Sequence, residues 1–425
     1  MAMTNSLKRT ICACACALGV AAAPGTVSAQ SNTESGWVTT WSASPQPIWE
    51  GNFPLPTLLP FNLWQQTLRQ PLRISLGGKS FRIVLSNEYG HDPLPVDGVS
   101  VAVSTGGGAI DLSTHHAVTF SGQGAFVIPA GAPMVSDPVP MEVASLSELA
   151  VSMHFSRPTE IRTFHWDGQE TSYLAPGDQT GAAEMTDAAE LPTRIFLSDI
   201  LVEANPEVRG VVAYGDSITD GAASGPDLNA RWPDFLAEAL VGSNVAVVNA
   251  GISGARLLHS KMGENALARF DRDVLSRPNI RTVVLLMGIN DISWPGQAFA
   301  PDDPFLTLDA LKAAYAQLSA RARMNGIRLV VGTLTPFKDA LSGSPLEGYY
   351  SPERDRLRQE LNSWIRSSDL FDAVVDLDRL VADPDDPDRI RADLQADHLH
   401  LSPEGNRVVA AAMSPDVLFG EDAAK

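Results

Sequence analysis

Residues 211–219 read Val-Val-Ala-Tyr-Gly-Asp-Ser-Ile-Thr, and this stretch indicates how the second half of the chain folds. Its apolar residues, 211–214, predict a short buried strand that ends in a loop at Ser217. Further apolar strands are predicted at 245–249, 282–287, 329–333 and 373–377, and amphipathic helices at 232–240, 264–273, 308–323, 352–365 and after Ser402. Such alternation predicts an α/β fold, a parallel sheet with helices on both faces.

The part of the chain before residue 211 has a different sequence pattern. Between residues 37 and 196, short segments alternate apolar and polar side chains, and Gly and Pro separate them. Segments 72–76 and 81–85 flank Gly77-Gly78 and predict a hairpin, and the whole pattern predicts an all-β, sandwich-like domain. Residues 176–192 show neither period, so an exposed connection is expected there, close to a domain boundary. We therefore predict a β-rich domain at 30–200 and a second domain at 201–425.

The first 29 residues have the order of features that export requires. Lys8 and Arg9 precede an apolar run, and small residues up to Ala29 offer a cleavage site. A signal peptide at 1–29, cleaved after Ala29, is expected, and with it a secreted or periplasmic protein. A short buried helix is the alternative. No later segment has the roughly 18 to 20 apolar residues that span a bilayer, so no integral membrane segment is expected in the mature chain.

Cysteine and charge narrow the possible functions. Cys12, Cys14 and Cys16 are the three cysteines, and all lie in the expected leader. The mature chain would then have no disulfide or thiol nucleophile; a lipoprotein cysteine at Cys14 or Cys16 is the alternative. Fifty acidic residues against 31 basic ones give a net charge of −19, so nucleic acid is not an expected partner.

A candidate nucleophile follows the first predicted strand of the α/β half. Ser217 lies in Gly215-Asp216-Ser217, at the carboxyl end of that strand, where ligand sites of parallel sheets lie. A serine hydroxyl is weakly nucleophilic until a base takes its proton. The alternative is a turn in which Asp216 merely caps a helix.

The candidate base lies near the C-terminus, in Asp397-His398-Leu399-His400. Asp397 can fold back within one turn to accept the Nδ1 proton of His400, which leaves Nε2 free to accept the serine proton. Two alternatives remain: His400 caps or packs against the last helix, or His398 is the base.

Acyl transfer also needs donors for the charge that develops on the carbonyl oxygen. Loops 250–254 and 288–291 follow the next two strands; a glycine in the first allows close backbone approach, and Asn290 in the second is a neutral donor. Trp232 and Trp294 follow on the same edge and are expected to line an acyl or alcohol pocket, with core packing as an equal alternative for Trp232. Asp216 is a further candidate for substrate binding.

These segments together resemble the SGNH hydrolase family, also called GDSL esterases and lipases. The four matching blocks are Gly215-Asp216-Ser217, Asn249 to Gly254, Gly288-Ile289-Asn290-Asp291, and Asp397 with Leu399 and His400. They span about residues 208–414. The resemblance implies a flavodoxin-like, doubly wound sheet, a Ser217-His400-Asp397 triad that cleaves carboxylic esters, and no metal or organic cofactor.

The resemblance also implies which groups bind the oxyanion: the backbone N–H groups of Ser217 and Gly254, and the side chain of Asn290. Gly254 is preferred over Gly251 because it closes the Ser-Gly pair. The last block departs from the family, because His398 stands where a small residue is common. His398 is expected either to tune His400 or to face solvent.

Three functions remain possible. The first is an esterase for short acyl or acetyl groups, on small esters or on acylated carbohydrate, as in a carbohydrate esterase. The second is a lipase or lysophospholipase for longer chains. The third is a carbohydrate-binding module with a degenerate catalytic half, because Trp166, Asp167 and Tyr173 suit sugar contact; ordinary sandwich core is the alternative for them.

Overall fold

Residues 36–49 and 53–420 are described by a computed structural model of the protein. The expected signal peptide and its cysteines lie outside the described residues. Within the described part of the chain, no helix has both the length and the apolar character needed to cross a membrane.

Residues 36–204, which we call the β-rich region, form antiparallel strands joined by loops and turns, with a short 3-10 helix at Leu112–Thr114. Two larger sheets have the strand orders β1-β16-β4-β10 and β14-β13-β3-β11-β6-β7, with β8 beside β6, and two small sheets are β15-β12-β2 and β5-β9. The strands are β1 (Gly36–Ser42), β2 (Gln46–Pro47), β3 (Gln66–Arg73), β4 (Phe81–Ser86), β5 (Leu94–Val96), β6 (Gly98–Gly106), β7 (Ala109–Ile110), β8 (His116–Val118), β9 (Phe126–Ile128), β10 (Pro133–Val135), β11 (Glu148–Phe155), β12 (Thr163–His165), β13 (Ser172–Pro176), β14 (Ala189–Leu191), β15 (Arg194–Ile195) and β16 (Leu197–Ala204).

Alternating apolar side chains of the two larger sheets share one core. Leu68 and Leu72 of β3 and Met153 of β11 are fully buried, as are Ile83 of β4 and Ile200 of β16. Period-2 alternation places such residues on one face of each strand, and that face is the one removed from water. The prediction of a β-rich region ahead of the α/β sheet is confirmed.

One local prediction in this region was wrong. Segments 72–76 and 81–85 do not form a hairpin: β3 pairs with β11 and β13, whereas β4 pairs with β16 and β10. Alternation reports a buried face but not which strand lies beside it. The predicted connection at 176–192 is exposed or half-buried throughout, and its one strand after β13 is the three-residue edge strand β14, which pairs with β13.

Residues 209–420, which we call the α/β region, alternate strands and helices. They comprise β17 (Arg209–Gly215), α1 (Ser217–Asp220), α2 (Trp232–Ala239), β18 (Val245–Gly251), α3 (Ala266–Phe270, continued by a π-helical turn at Asp271–Leu275), β19 (Ile280–Leu286), α4 (Ile289–Ser293), α5 (Leu308–Met324), β20 (Arg328–Gly332), α6 (Pro352–Ser367), β21 (Ala373–Val375), α7 (Leu377–Val381), α8 (Pro403–Ala411) and α9 (Pro415–Phe419).

These five strands form one parallel sheet in the order β18-β17-β19-β20-β21. In chain order this is 2-1-3-4-5, the flavodoxin-like arrangement, so the predicted fold class is confirmed. The chain reverses its direction of winding between β17 and β19. A crevice opens at that switch point, at the carboxyl ends of the strands, and the loops that follow β17, β18 and β19 surround it.

Polar contacts join the β-rich and α/β regions in one compact unit. Gln46 Nε2 donates to the Met262 carbonyl at 2.6 Å, and the Val247 N–H donates to Ser75 Oγ at 3.0 Å. Arg73 of β3 forms an ion pair with Glu238 of α2. Strand β16 continues to Ala204. The division into domains at residue 200 stays a prediction.

Candidate active site

Ser217 is the first residue of α1, directly after β17 and its Gly215-Asp216 turn. The turn needs a glycine, because a Cβ at Gly215 would lie 2.1 Å from Thr219 Oγ1 and 2.7 Å from the Leu286 carbonyl oxygen. Asp216 caps the helix by accepting a hydrogen bond of 3.1 Å from the Ile218 N–H. This geometry places the Ser217 side chain at the carboxyl edge of the sheet, where it is 8% exposed.

Asp216 itself faces the protein interior rather than the cavity beside Ser217. Its side chain is 1% exposed, and burial raises its pKa to about 7. The sequence-based assignment of Asp216 to substrate binding is therefore corrected: its carboxylate is used to cap α1, as the alternative interpretation of the turn required.

The structure brings Ser217, His400 and Asp397 together in one hydrogen-bonded line. His400 Nε2 lies 2.8 Å from Ser217 Oγ, and His400 Nδ1 lies 2.7 Å from Asp397 Oδ2. Ser217 and His400 are 183 positions apart in the sequence, and only the fold brings them together. The arrangement can move a proton from the hydroxyl to the imidazole while the carboxylate holds the ring.

Asp397 is held in place by its own loop. Its Oδ1 accepts hydrogen bonds from the His400 N–H at 2.7 Å and the Leu399 N–H at 3.1 Å. Burial raises the pKa of Asp397, but the hydrogen bond and charge of His400 outweigh burial and hold this pKa below its ordinary value. The carboxylate thus stays ionised beside the imidazole.

His398 occupies the left-handed region, with φ +63°, and its N–H donates to Gln395 Oε1 at 2.7 Å. It does not line the cavity in which Ser217 and His400 lie. Of the two candidate bases, His400 is the one within hydrogen-bonding distance of Ser217.

Three residues that line the cavity beside Ser217 carry N–H donors. Within the described residues, the N–H groups of Ser217 and Gly254 have no protein acceptor, and Asn290 Nδ2 donates only once, to the Ala255 carbonyl at 3.1 Å. Ser217, Gly254 and Asn290 all line the same cavity. Gly254 has φ +77°, and a Cβ there would lie 2.5 Å from Met262 Sδ. A glycine at 254 is required by both backbone conformation and space.

The Asn290 amide is oriented by a neighbour that the sequence did not indicate. The Tyr349 hydroxyl donates to Asn290 Oδ1 at 2.8 Å. Asp291, the next residue, accepts hydrogen bonds from the backbone N–H groups of Leu257 and Leu258 at 2.7 and 3.1 Å, and its burial raises its pKa to about 6. The two loops that carry Gly254 and Asn290 are thus fastened to each other.

The cavity beside Ser217 has a volume of about 400 Å³. Its wall is mainly apolar and includes Trp294, Phe299, Leu346 and Leu399. Trp294 lies where the sequence predicted. Trp232 does not line this cavity: it is fully buried, and its backbone N–H donates to Asn406 Oδ1 at 3.1 Å. The assignment of Trp232 to the pocket is corrected, because α2 turns the indole into the core between α1 and α8.

The β-rich region contributes part of the cavity wall, through Leu55, Trp166, Asp167 and Gln169. Trp166 and Asp167 stood out in the sequence for their side-chain chemistry, but nothing in the sequence located them beside Ser217. Asp167 Oδ2 accepts a hydrogen bond of 2.8 Å from Ser253 Oγ. Tyr173, noted with them in the sequence, packs against Gly108 and does not line the cavity.

Among the described residues, no group of three or more His, Cys, Asp or Glu side chains could hold a metal ion. That the protein works without metal or organic cofactor stays a prediction.

Residues 213–408 match the model of the GDSL-like Lipase/Acylhydrolase family. A lipolytic protein of the G-D-S-L family from Desulfitobacterium hafniense is 21% identical, over 49% of this chain and 99% of that chain, with a TM-score of 0.36. An acetyl xylan esterase from Geobacillus stearothermophilus is 21% identical, over 49% of this chain and 94% of its own, with a TM-score of 0.35.

A carbohydrate acetylesterase family member from Sinorhizobium meliloti is 19% identical, over 49% of this chain and 97% of that chain, with a TM-score of 0.37. No match was found among curated proteins.

Proposed function

We propose, because residues 213–408 match the model of the GDSL-like lipase and acylhydrolase family, that this protein is a serine esterase that hydrolyses carboxylic esters of short acyl groups through an acyl-enzyme. The observation that carries the proposal is the 2.8 Å contact between Ser217 Oγ and His400 Nε2, in a cavity that also contains unengaged N–H donors.

In the first half of the proposed reaction, His400 accepts the Ser217 proton as Oγ attacks the ester carbonyl carbon. Asp397 keeps the His400 ring in the tautomer that exposes Nε2 and stabilises the imidazolium that forms. The carbonyl oxygen becomes an oxyanion, which receives hydrogen bonds from the N–H groups of Ser217 and Gly254 and from Asn290 Nδ2. Each such donor contributes roughly 3 to 4 kcal/mol to stabilising the transition state.

The tetrahedral intermediate then collapses. His400 gives its proton to the departing alcohol, and the acyl group stays on Ser217 Oγ. A water molecule, deprotonated by His400, attacks the acyl carbonyl, and the same donors stabilise the second oxyanion. Release of the acid regenerates the free hydroxyl. This chain's residues account for every proton movement in the cycle.

The preference for short acyl groups is inferred from the space beside the oxyanion donors. A Cβ on Gly254 would lie 2.8 Å from Trp294, so the indole packs directly against the oxyanion loop. Trp294 in turn packs against Phe299, with ring centroids 5.1 Å apart. These buried rings limit the depth available to an acyl chain on that side of the cavity.

A second candidate is a lipase or lysophospholipase for longer chains, and one observation favours it. The segment that begins at the cavity with Pro54 and Leu55 continues to Leu58, Phe61 and Trp64, which are 47%, 96% and 56% exposed. Exposed apolar side chains on a segment whose first residues line an ester-binding cavity suit contact with an aggregated lipid.

The substrate is proposed to be the ester of a small alcohol or an acylated carbohydrate. A carbohydrate as the alcohol part is suggested by Trp166 and Asp167, which lie in the wall of the cavity. A binding module with a degenerate site is disfavoured by the hydrogen-bonded contact between Ser217 and His400.

We also propose export from the cytoplasm, on the basis of the leader-like residues 1–29.

The test compares the wild type with Ser217→Ala on p-nitrophenyl acetate, butyrate and octanoate. The wild type is expected to prefer acetate or butyrate, and Ser217→Ala to fold normally and lose nearly all turnover. The control is Ser367→Ala, because Ser367 is an exposed serine on α6 that bonds only nearby carbonyls of its own helix. Activity retained by Ser217→Ala would refute the nucleophile, and preference for octanoate would favour the lipase.

Carbohydrate esters need their own measurement. Acetate release from acetylated xylan, relative to p-nitrophenyl acetate, will separate a polysaccharide substrate from a small ester. A purified wild type that hydrolyses no activated ester would support the binding-module interpretation instead.

A further inference from the structure

His165 is a buried histidine at the contact between the β-rich and α/β regions. Its side chain is 5% exposed, and His165 is the last residue of strand β12. Nδ1 lies 3.0 Å from the Ser44 carbonyl oxygen, and Nε2 lies 2.9 Å from Oδ1 of Asp220, the last residue of α1. It takes no part in the proton transfers proposed above.

Both neighbours of the His165 ring are hydrogen-bond acceptors. A carbonyl oxygen cannot donate, so Nδ1 must carry a proton. Asp220 already accepts the Ser253 N–H at Oδ2, at 2.7 Å, and a backbone donor of this kind favours the ionised carboxylate. An ionised Asp220 can only accept, so Nε2 must carry a proton as well. The ring that satisfies both contacts is the imidazolium.

Asp220 links two parts of the candidate active site. It ends the four-residue helix α1, which begins at Ser217. Its Oδ2 holds the N–H of Ser253, and the next residue, Gly254, carries a proposed oxyanion donor. The N–H of Ile252 also donates to the Gly215 carbonyl, so a carboxylate that moved would not detach the loop but would free its Ser253-Gly254 end from the helix carrying the nucleophile.

We propose that His165, as an imidazolium, is a positioning residue that holds the Asp220 carboxylate and thereby aims the Gly254 N–H at the oxyanion. This inference rests on the proposed esterase function. It gives the β-rich region a direct effect on the rate of the reaction, because His165 and Ser44 belong to that region while Asp220 and Gly254 belong to the α/β region.

Other charged groups lie near the pair, and of these the acidic Asp167 favours the imidazolium. Asp167, two residues along the chain, faces His165 and receives the Ser253 hydroxyl. Arg231, which precedes α2, lies near Asp220 and forms its own ion pair with Asp234. Arg194 is opposite His165 in the β12–β15 pair, but its guanidinium is bonded to Glu170. Because Arg194 is paired with Glu170, it does not compete with His165 for the Asp220 carboxylate.

The pKa of His165 agrees with this assignment. Burial lowers it, but the charge and hydrogen bond of Asp220 outweigh burial and raise the pKa above its ordinary value of 6.5. The contribution of the ion pair is thus fully present below pH 6.5 and is lost as the pH rises through the higher pKa of the folded state. Deprotonation of His165 will weaken its hold on Asp220, so kcat will fall at alkaline pH.

The first test is kinetic. His165→Gln removes the charge and leaves only one amide to contact both acceptors; we expect kcat for p-nitrophenyl acetate to fall about 10- to 100-fold, less than the full loss of an oxyanion donor, and KM to change less than about twofold. The alkaline decline of kcat is expected to disappear from the variant's pH profile. His154→Gln, a half-buried histidine on β11 away from the cavity, is the matched control and should behave as wild type.

The second test does not use activity. In Ser217→Ala protein labelled with ¹⁵N-histidine, the chemical shifts of His165 should show both ring nitrogens protonated at pH 7. A neutral ring would overturn the inference, whatever the kinetics. An unaltered kcat in folded His165→Gln would also overturn it. If the wild type hydrolyses no ester, the proposed function fails, and that result is distinguishable because wild type and variant would then be equally inactive.

Discussion

The Tyr349 hydroxyl donates a hydrogen bond of 2.8 Å to Oδ1 of Asn290, and both side chains are buried. Tyr349 lies in the loop before α6 and Asn290 lies on α4, so the contact joins that loop to the helix. It determines which end of the amide is the donor: with Oδ1 taken by the hydroxyl, Nδ2 faces the Ala255 carbonyl and the cavity. A proposed oxyanion donor is thereby oriented before substrate binds.

Removing this hydroxyl is expected to slow catalysis without weakening substrate binding. Tyr349→Phe should lower kcat for p-nitrophenyl acetate about tenfold, and Asn290→Ala, which removes the donor itself, about 100- to 1000-fold. KM should change little, because the oxyanion exists only in the transition state. Steady-state kinetics on purified variants will measure both constants.

Tyr350→Phe is the matched control, since Tyr350 is the neighbouring tyrosine and does not line the cavity. If Tyr349→Phe and Tyr350→Phe had the same kcat as wild type, the hydroxyl would have no role in orienting Asn290.

Replacing the carboxylate beside His400 should leave the fold intact and remove most activity. In Asp397→Asn, the amide can no longer favour the tautomer that leaves Nε2 free, and kcat is expected to fall about 10⁴-fold. Because the pKa of Asp397 is held below its ordinary value, the wild type should keep this carboxylate ionised down to about pH 4.

The comparison for Asp397→Asn is Asp393→Asn, which changes an exposed aspartate paired with Arg391 on the same loop. Circular dichroism will check that both variants are folded. An Asp397→Asn protein with more than about a tenth of wild-type kcat would contradict the assignment of Asp397 to the triad.

Gly254 should tolerate no side chain. Gly254→Ala places a Cβ 2.5 Å from Met262 Sδ and 2.8 Å from Trp294, at a residue with φ +77°. We expect kcat to fall by about 100-fold or more as the donor N–H is displaced, together with a loss of roughly 2 to 4 kcal/mol in unfolding free energy.

Gly242→Ala separates backbone strain from crowding. Gly242 has φ +84°, but a Cβ there meets nothing within 4 Å. Urea unfolding of this variant should show only the strain, about 1 to 2 kcal/mol, with wild-type kinetics. Equal stability losses in the two variants would mean that the contacts with Met262 and Trp294 relax without cost.

The buried Asp216 carboxyl should make stability depend on pH. Its pKa of about 7 in the folded protein exceeds the value of 3.8 expected when unfolded, so the folded state holds this proton more tightly. The resulting stability is present below about pH 4 and is lost as the pH rises through 7. Between pH 5 and pH 8 the wild type should lose roughly 2 to 3 kcal/mol through this group.

Asp216→Asn can still cap α1 but cannot ionise, so it should not show this loss. Urea titrations of both proteins at pH 5 and pH 8 will give the difference. The expected result is a variant whose stability relative to wild type improves at the higher pH; an equal difference at both values would show that Asp216 does not titrate between them.

The fold class and the candidate triad were predictable from sequence because their signals are local. A buried parallel strand is a run of apolar residues, and the helices of the α/β region show their own period, so each element could be recognised within its own segment. Ser217, Asn290 and His400 each follow such a strand or precede such a helix. The rule that ligands bind at the carboxyl ends of parallel strands then brought them to one edge.

What depends on distant parts of the chain could not be predicted. Alternation in segments 72–76 and 81–85 has the same appearance whether the strands pair with each other or, as found, with β11 and β16. Trp232 and Trp294 follow similar loops, yet one is turned into the core and the other into the cavity. Side-chain direction at the end of an element is set by its packing partners.

The amino-acid sequence by itself determined the α/β architecture, the β-rich region before it and the residues able to carry ester hydrolysis, because period and residue chemistry are properties of short segments. Only the tertiary structure decided that Tyr349 orients Asn290 and that His165 of the β-rich region bonds Asp220. Those contacts join residues 59 and 55 positions apart. Such pairs form only when the packing of whole sheets and loops brings the two backbones together.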